Sequence, residues 1–287
     1  MKIVIAGLGK SGTTALFFKI KNSLPFEPRC IFEPTEYKEE PEDREKGVFA
    51  KVLLKDPDRE NYDSFGEFDR KILIVRDPRD RLISNILYKV WDGFYADERK
   101  VKKFIALLEK KERDPKSVSV LRVLALLKKL ERHDFWKSPR PGKFRKKKKS
   151  TDFWLDTMYG RRFHRAAEFY EKHPGYFCIK YEDFISGNIE GLEKYLGIRL
   201  RGSASVSKEY SRVVRTKKSG GWRNWFLEED IRFFRPLFSE FMKKHRYPDD
   251  WIPAQNPVID PGECSGYVRR IVEERRRSGK TARRDLK

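Results

Sequence analysis

Residues 1–6 (MKIVIA) run into Gly7-Leu8-Gly9-Lys10-Ser11-Gly12-Thr13-Thr14, and an apolar stretch resumes at Ala15-Leu16-Phe17-Phe18. An apolar run that stops at glycines and restarts with apolar residues reads as strand, tight turn and helix. Such a turn aims free backbone N–H groups and the positive end of a helix dipole at one spot, which suits an anion. Lys10 adds a full charge, and Ser11, Thr13 and Thr14 add hydroxyl donors. This stretch constrains the chain more than any other.

The rest of the chain supplies partners for that first strand. Short apolar runs recur at 29–33, 48–54, 71–75 and 175–180, and a helix is predicted over 15–23. Apolar strands separated by crossover segments imply an α/β fold, with a parallel sheet of about five strands covered by helices. After 71–75 comes Arg76-Asp77-Pro78-Arg79-Asp80-Arg81, in which Pro78 suits the first turn of a helix and Asp77 its cap. Leu82, Ile83, Ile86, Leu87 and Val90 then share one face of that helix.

The 287 residues are expected to form a single domain with a helical and basic insertion at about 92–150. Within it, Val101, Phe104, Ile105 and Leu108 are spaced for one helix face. Val120, Leu121, Leu124, Leu127 and Leu130 are spaced for another, and the basic run 143–149 follows. Further helices are expected at 152–172, 190–196 and 228–245. A basic tail begins at about 265, and its Arg-rich part from Arg269 reads as an exposed helix.

Sixty-five basic against 44 acidic side chains leave a net charge of +21. An excess of that size calls for an acidic partner: nucleotide, nucleic acid, anionic glycan or membrane surface. Cys30, Cys178 and Cys264 are isolated, which argues against a disulfide framework or zinc site and fits a reducing, cytoplasmic setting. No metal ligand set is expected. The apolar start is too short for a signal peptide, and no stretch approaches the ~18 apolar residues of a membrane span.

Three phosphate-site motifs could use the opening turn. Gly7-x-Gly9-x-x-Gly12 fits the dinucleotide fingerprint, but Lys10 stands where the backbone must approach a pyrophosphate. A nucleoside triphosphate loop, GxxxxGK[ST], would need glycine where Val4 stands. In the third, a lysine precedes Ser-Gly-Thr-Thr, so the hydroxyls open the helix.

The third pattern, Lys10-Ser11-Gly12-Thr13-Thr14, resembles the 5′-phosphosulfate loop of sulfotransferases that use 3′-phosphoadenosine-5′-phosphosulfate (PAPS). Arg76 to Ser84 (RDPRDRLIS) resembles the 3′-phosphate segment of that family. Arg215 to Asn224 (RTKKSGGWRN) is similar to its C-terminal loop, with Lys217 where glycine is usual and Gly221 where aspartate is usual. Tyr181-Glu182-Asp183-Phe184 resembles a further family segment, and a helix cap and packing corner is its expected role.

The resemblance implies a P-loop-like, three-layer α/β/α fold and transfer of a sulfuryl group from PAPS to a hydroxyl or amine, without a metal. It assigns PAPS binding to Gly9, Lys10, Ser11, Gly12, Thr13, Thr14, Arg76, Ser84, Arg215 and Lys217. Lys10 also becomes a catalytic cation. The histidine base of many cytosolic members has no counterpart, because that place reads Leu54-Lys55-Asp56-Pro57. Phe32-Glu33-Pro34 resembles the carbohydrate-type branch and makes Glu33 the expected general base, with Lys55 beside the transferring sulfonate. The expected acceptor is a hydroxyl-bearing, anionic glycan or glycolipid, and the basic surface admits peripheral contact with an anionic membrane. Rival readings are a nucleotide or small-molecule kinase and a non-enzymatic nucleic-acid-binding protein. The latter needs no such turn matched by Arg76 and Ser84, so nucleic acid is the less favoured partner.

Overall fold

The computed structural model describes residues 1–54, 61–131, 168–169, 171–202, 204 and 208–284. Lys55, the basic run 143–149 and most of the helix expected at 152–172 lie outside them. The chain divides into two compact units. Unit 1 comprises Met1–Arg81, Arg161–Lys218 and Glu240–Pro248; unit 2 comprises Leu82–Gly160, Ser219–Ser239 and Asp249–Lys287. The described helices are α1 (Thr13–Lys21), α2 (Asp43–Lys46), α3 (Pro78–Asp92), α4 (Glu98–Arg113), α5 (Val120–Glu131), α6 (Tyr181–Ser186), α7 (Glu190–Leu196), α8 (Glu228–Lys244) and α9 (Ser265–Arg284).

Unit 1 is built on a sheet of β1 (Lys2–Gly7), β2 (Arg29–Phe32), β3 (Val48–Leu53), β4 (Arg70–Val75) and β5 (Phe177–Lys180). The strand order is β2-β3-β1-β4-β5, and every neighbouring pair is parallel. The strands are mostly apolar because both faces of a parallel sheet are covered. On one face Ile3, Ile5, Phe49, Ile72, Ile74 and Ile179 pack with Leu16, Phe17 and Ile20 of α1 and Leu192 and Leu196 of α7. The sheet order places β1 centrally, with β3 on one side and β4 on the other. The turn after β1 therefore opens at the carboxyl edge where the winding changes direction, the usual ligand position in such sheets.

Two local features have plain causes. The first helix starts at Thr13, two residues early, because Gly12 adopts φ 92 at its N-cap and the threonines form the first turn. In the charged 36–47 stretch the single turn α2 forms around buried Asp43, which accepts from Arg29 Nε, Tyr37 Oη and the Glu40 amide.

In unit 2 the expected α3 face, Leu82, Ile83, Ile86, Leu87 and Val90, is buried, as is the α4 face. On α5 the buried set is Val120, Val123, Leu124, Leu127 and Leu130, so Val123 takes the place expected for Leu121. The carboxylate of Asp230, 0% exposed, accepts from the amides of Val120, Leu121 and Leu227 and so caps two helices at once. The expectation of an exposed Arg-rich tail fails over its first turns. Tyr267, Val268, Ile271 and Val272 recur on one face of α9 and are buried, and Glu112 receives both the amide and hydroxyl of Ser265.

Candidate active site

The turn after β1 is shaped by two glycines and one strained lysine. A Cβ on Gly7 would come within 2.7 Å of Ile74 O and 2.9 Å of Thr13 Cγ2, so only glycine lets α1 start this close to β4. A Cβ on Gly12 would lie 2.5 Å from the Tyr181 ring. Lys10 between them has φ 70, and the Ser11 amide donates back to Leu8 O at 3.1 Å. Ser11, Thr13 and Thr14 are buried at the start of α1, while nothing lies within 4 Å of where a Gly9 Cβ would be. Free helix N-terminal amides, hydroxyls and an open glycine together make an anion cradle.

Arg76 reaches that turn from the end of β4. It is 5% exposed, its Nη1 donates to Lys10 O at 3.2 Å, and its guanidinium lies 4.2 Å from the Tyr181 ring centroid. Its Nε and Nη2 are buried without a hydrogen-bond partner. Two unmet guanidinium donors cost on the order of 1–3 kcal/mol each unless a ligand satisfies them, and their fork suits a phosphate. Arg81 Nε holds Gly9 O at 2.8 Å, and Asp77 holds buried Arg79. The basic string thus divides its work: Arg81 shapes the turn, Arg79 is neutralised, and Arg76 keeps donors to offer.

Tyr181 and Glu182 form the wall behind Arg76. Burial pushes the Tyr181 hydroxyl up from its usual range, with Arg76 and Arg215 opposing it. That hydroxyl donates to Thr216 O at 3.1 Å, and Lys10 Nζ donates to Val213 O at 3.2 Å. The segment carrying Arg215 is thereby tied to the opening turn. Glu182 accepts from the Asp77 amide at 3.0 Å and the Tyr247 hydroxyl at 2.9 Å, and burial raises its carboxyl above the ordinary value. Lys217 is exposed.

Glu33 leaves β2 with φ 51. Among the described residues only three non-glycines have positive φ, and Lys10 and Glu33 are two of them. Backbone strain of this kind costs ~1–3 kcal/mol per residue and gathers at functional sites. The Glu33 amide donates to Lys51 O at 2.7 Å, and its carboxylate accepts from Lys51 Nζ at 3.0 Å. Lys51 is 3% exposed in the middle of β3 and also donates to Thr14 Oγ1 at 3.1 Å. Sequence reasoning passed over it, although one lysine in an otherwise apolar strand was a visible signal.

All these residues belong to unit 1. Ser84 lies on the part of α3 that belongs to unit 2 and is 3% exposed. In unit 2 the rest of the C-terminal loop is held within its own unit. Gly220 adopts φ 77, Trp222 packs with Phe226 and Trp251, Arg223 pairs with Asp250, and Asn224 Oδ1 accepts from the Val258 amide. Among the described residues no group of three or more His, Cys, Asp or Glu side chains is placed to hold a metal ion. No helix among them is long and apolar enough to cross a membrane.

No protein-family model and no curated protein matches the sequence. Among solved structures, the chain is similar to mouse sulfotransferase SULT7A1 complexed with PAP. The two share 17% identity over 84% of each chain, with a TM-score of 0.50. The fold is therefore the P-loop-like α/β fold of sulfotransferases, with the cradle at the first turn of its central strand.

Proposed function

We propose that the chain is a PAPS-dependent sulfotransferase whose acceptor is a hydroxyl of a carbohydrate or glycolipid. The observation that carries this reading is Arg76, buried beside the Lys10 turn with two guanidinium nitrogens unsatisfied. An arginine fork from the neighbouring strand, beside the cradle, suits a donor that carries a second, separate phosphate. The sulfotransferase fold and a cradle opening on Gly9 and the buried hydroxyls support the same reading.

PAPS, when bound, supplies a sulfuryl group joined to a phosphate that can leave. The chain's own residues then have separate tasks. Gly9, Gly12 and the amides of the turn, with Ser11, Thr13 and Thr14, bind the 5′-phosphate. Lys10 neutralises charge on the departing oxygen, and Arg76 with Ser84 takes the 3′-phosphate. Arg215 adds charge from the tied segment and Lys217 adds it from solvent. Glu33 accepts the proton of the acceptor hydroxyl, and Lys55 neutralises the sulfonate. The whole chain serves as one catalytic domain, in which the 92–150 insertion selects the acceptor. The partners are PAPS and an anionic glycan or glycolipid, in the cytoplasm, with peripheral contact to an anionic membrane surface.

Calorimetry with 3′-phosphoadenosine-5′-phosphate (PAP), ATP and NAD tests this directly. PAP is expected to bind and the other two not. No PAP binding at millimolar concentration, with ATP or NAD bound instead, overturns the proposal. Transfer of labelled sulfate from PAPS across a panel of glycan and glycolipid acceptors then identifies the acceptor.

A further inference from the structure

Lys51 touches both halves of the site. One ammonium, on a strand that is otherwise apolar, reaches the Glu33 carboxylate at 3.0 Å and the Thr14 hydroxyl at 3.1 Å. Its side chain is 3% exposed and that of Glu33 is 38% exposed. The lysine thus occupies the dry side of the carboxylate and leaves the wet side accessible to an incoming hydroxyl. A buried ammonium is costly, and a buried ion pair is often no more stable than a well-packed apolar pair. Stability alone gives a poor reason for a lysine at this point of β3.

The geometry of Glu33 adds a second constraint. Its positive φ turns the chain at the strand end, and its amide bonds to the carbonyl of Lys51 itself. Backbone and side chain of one residue therefore fix both ends of the glutamate. The aromatic ring before it is also engaged: Phe32 stacks on Tyr210 at 5.1 Å, and Lys51 Nζ lies 5.2 Å from the Phe32 centroid.

We propose that Lys51 is a positioning residue for the transfer reaction: it holds Glu33 ionised and turned toward the acceptor, and joins that base to Thr14 of the phosphate cradle. The proposal rests on the sulfotransferase reading for the identity of the reaction. Titratable and charged groups on neighbouring described elements include Lys10 in the opening turn, and Tyr210 and Arg212 in the turn stacked on Phe32. Among these groups Lys51 bonds the Glu33 carboxylate, at 3.0 Å.

The test is a carboxylate NMR titration of glutamate-labelled protein, with the Glu33 signal assigned by its loss in Glu33→Gln. Opposite charge within a few ångströms lowers a carboxyl pKa by ~1–3 units, and the exposure of Glu33 favours the low end. Lys51→Met is therefore expected to raise the Glu33 midpoint by about one pH unit, a tenfold change in proton affinity. Lys51→Arg is expected to keep the midpoint near that of the parent. An unmoved midpoint in Lys51→Met overturns the proposal, as does an equal rise in Lys51→Arg. If Lys51→Met does not fold, Lys51→Gln retains a donor without charge and makes the same prediction. Calorimetry with PAP separates the two claims. PAP binding with a midpoint indifferent to Lys51 overturns only this inference; a shifted midpoint without PAP binding overturns the sulfotransferase reading.

Discussion

The Arg76 guanidinium lies 4.2 Å from the ring centroid of Tyr181, and the same ring would meet a Cβ at Gly12 at 2.5 Å. One tyrosine therefore sets the position of the arginine and the shape of the glycine turn opposite it. These three residues come from segments far apart in the chain, and the sheet brings them together at one edge.

Arg76→Ala is expected to weaken PAP binding by about 2–4 kcal/mol, on the order of a hundredfold in Kd, because charge-assisted bonds to a dianion are lost. Arg76→Lys should recover only a small part, since an ammonium cannot fork or stack on Tyr181 as the guanidinium does. Calorimetry with PAP measures both. Parent-like affinity in Arg76→Ala would remove this arginine from the site.

Gly12→Ala should destabilise unit 1 by about 2–4 kcal/mol, from a positive φ imposed on alanine and from overlap with the Tyr181 ring. Adding Tyr181→Ala to this variant should relieve the overlap but leave the backbone strain. Urea unfolding of the single and double variants distinguishes the two contributions. Equal stabilities of Gly12→Ala and the parent would contradict the close approach.

Glu33→Gln is expected to lower turnover with a sulfate acceptor by at least about a hundredfold while changing PAP affinity less than twofold. Lys10→Ala should reduce both, because the proposed function gives Lys10 a part in the cradle as well as in the chemistry. Steady-state kinetics paired with PAP calorimetry provides the comparison. Normal turnover in Glu33→Gln would assign the base elsewhere.

Acid stability should depend on His245. Burial, with Lys244 and Lys180 adding to it, holds this imidazole down to about 4, and its Nε2 is buried without a partner. Between pH 6.5 and about 4 the unfolded chain takes up a proton that the folded chain refuses, so stability falls with pH across that window. The full effect is on the order of 3 kcal/mol, complete near pH 4 and absent above 6.5. Glu182, raised by burial, acts in the opposite direction, so the informative quantity is the difference between the parent and His245→Phe. Urea midpoints across that range should fall more steeply for the parent.

Glycine, proline and apolar spacing act over a few residues, so the sequence by itself determined the strands, the opening turn and the class of fold. The expected strand at 48–54 appears as Val48–Leu53, and that at 71–75 as Arg70–Val75. Lys10, Arg76 and Glu33 were also legible as candidates, because each stands at the end of an apolar run where a parallel sheet opens. What tertiary structure alone decided is which residues meet. Lys51 reaches Glu33 and Thr14 only because β3 lies between β2 and β1, an order that no local pattern encodes. Tyr181, Glu182 and Tyr247 acquire their roles only when β5 and the end of α8 are in place around Arg76 and Asp77. The physical reason is range: backbone propensity is settled by neighbours in sequence, whereas the environment of a buried charge is settled by whichever distant side chains surround it.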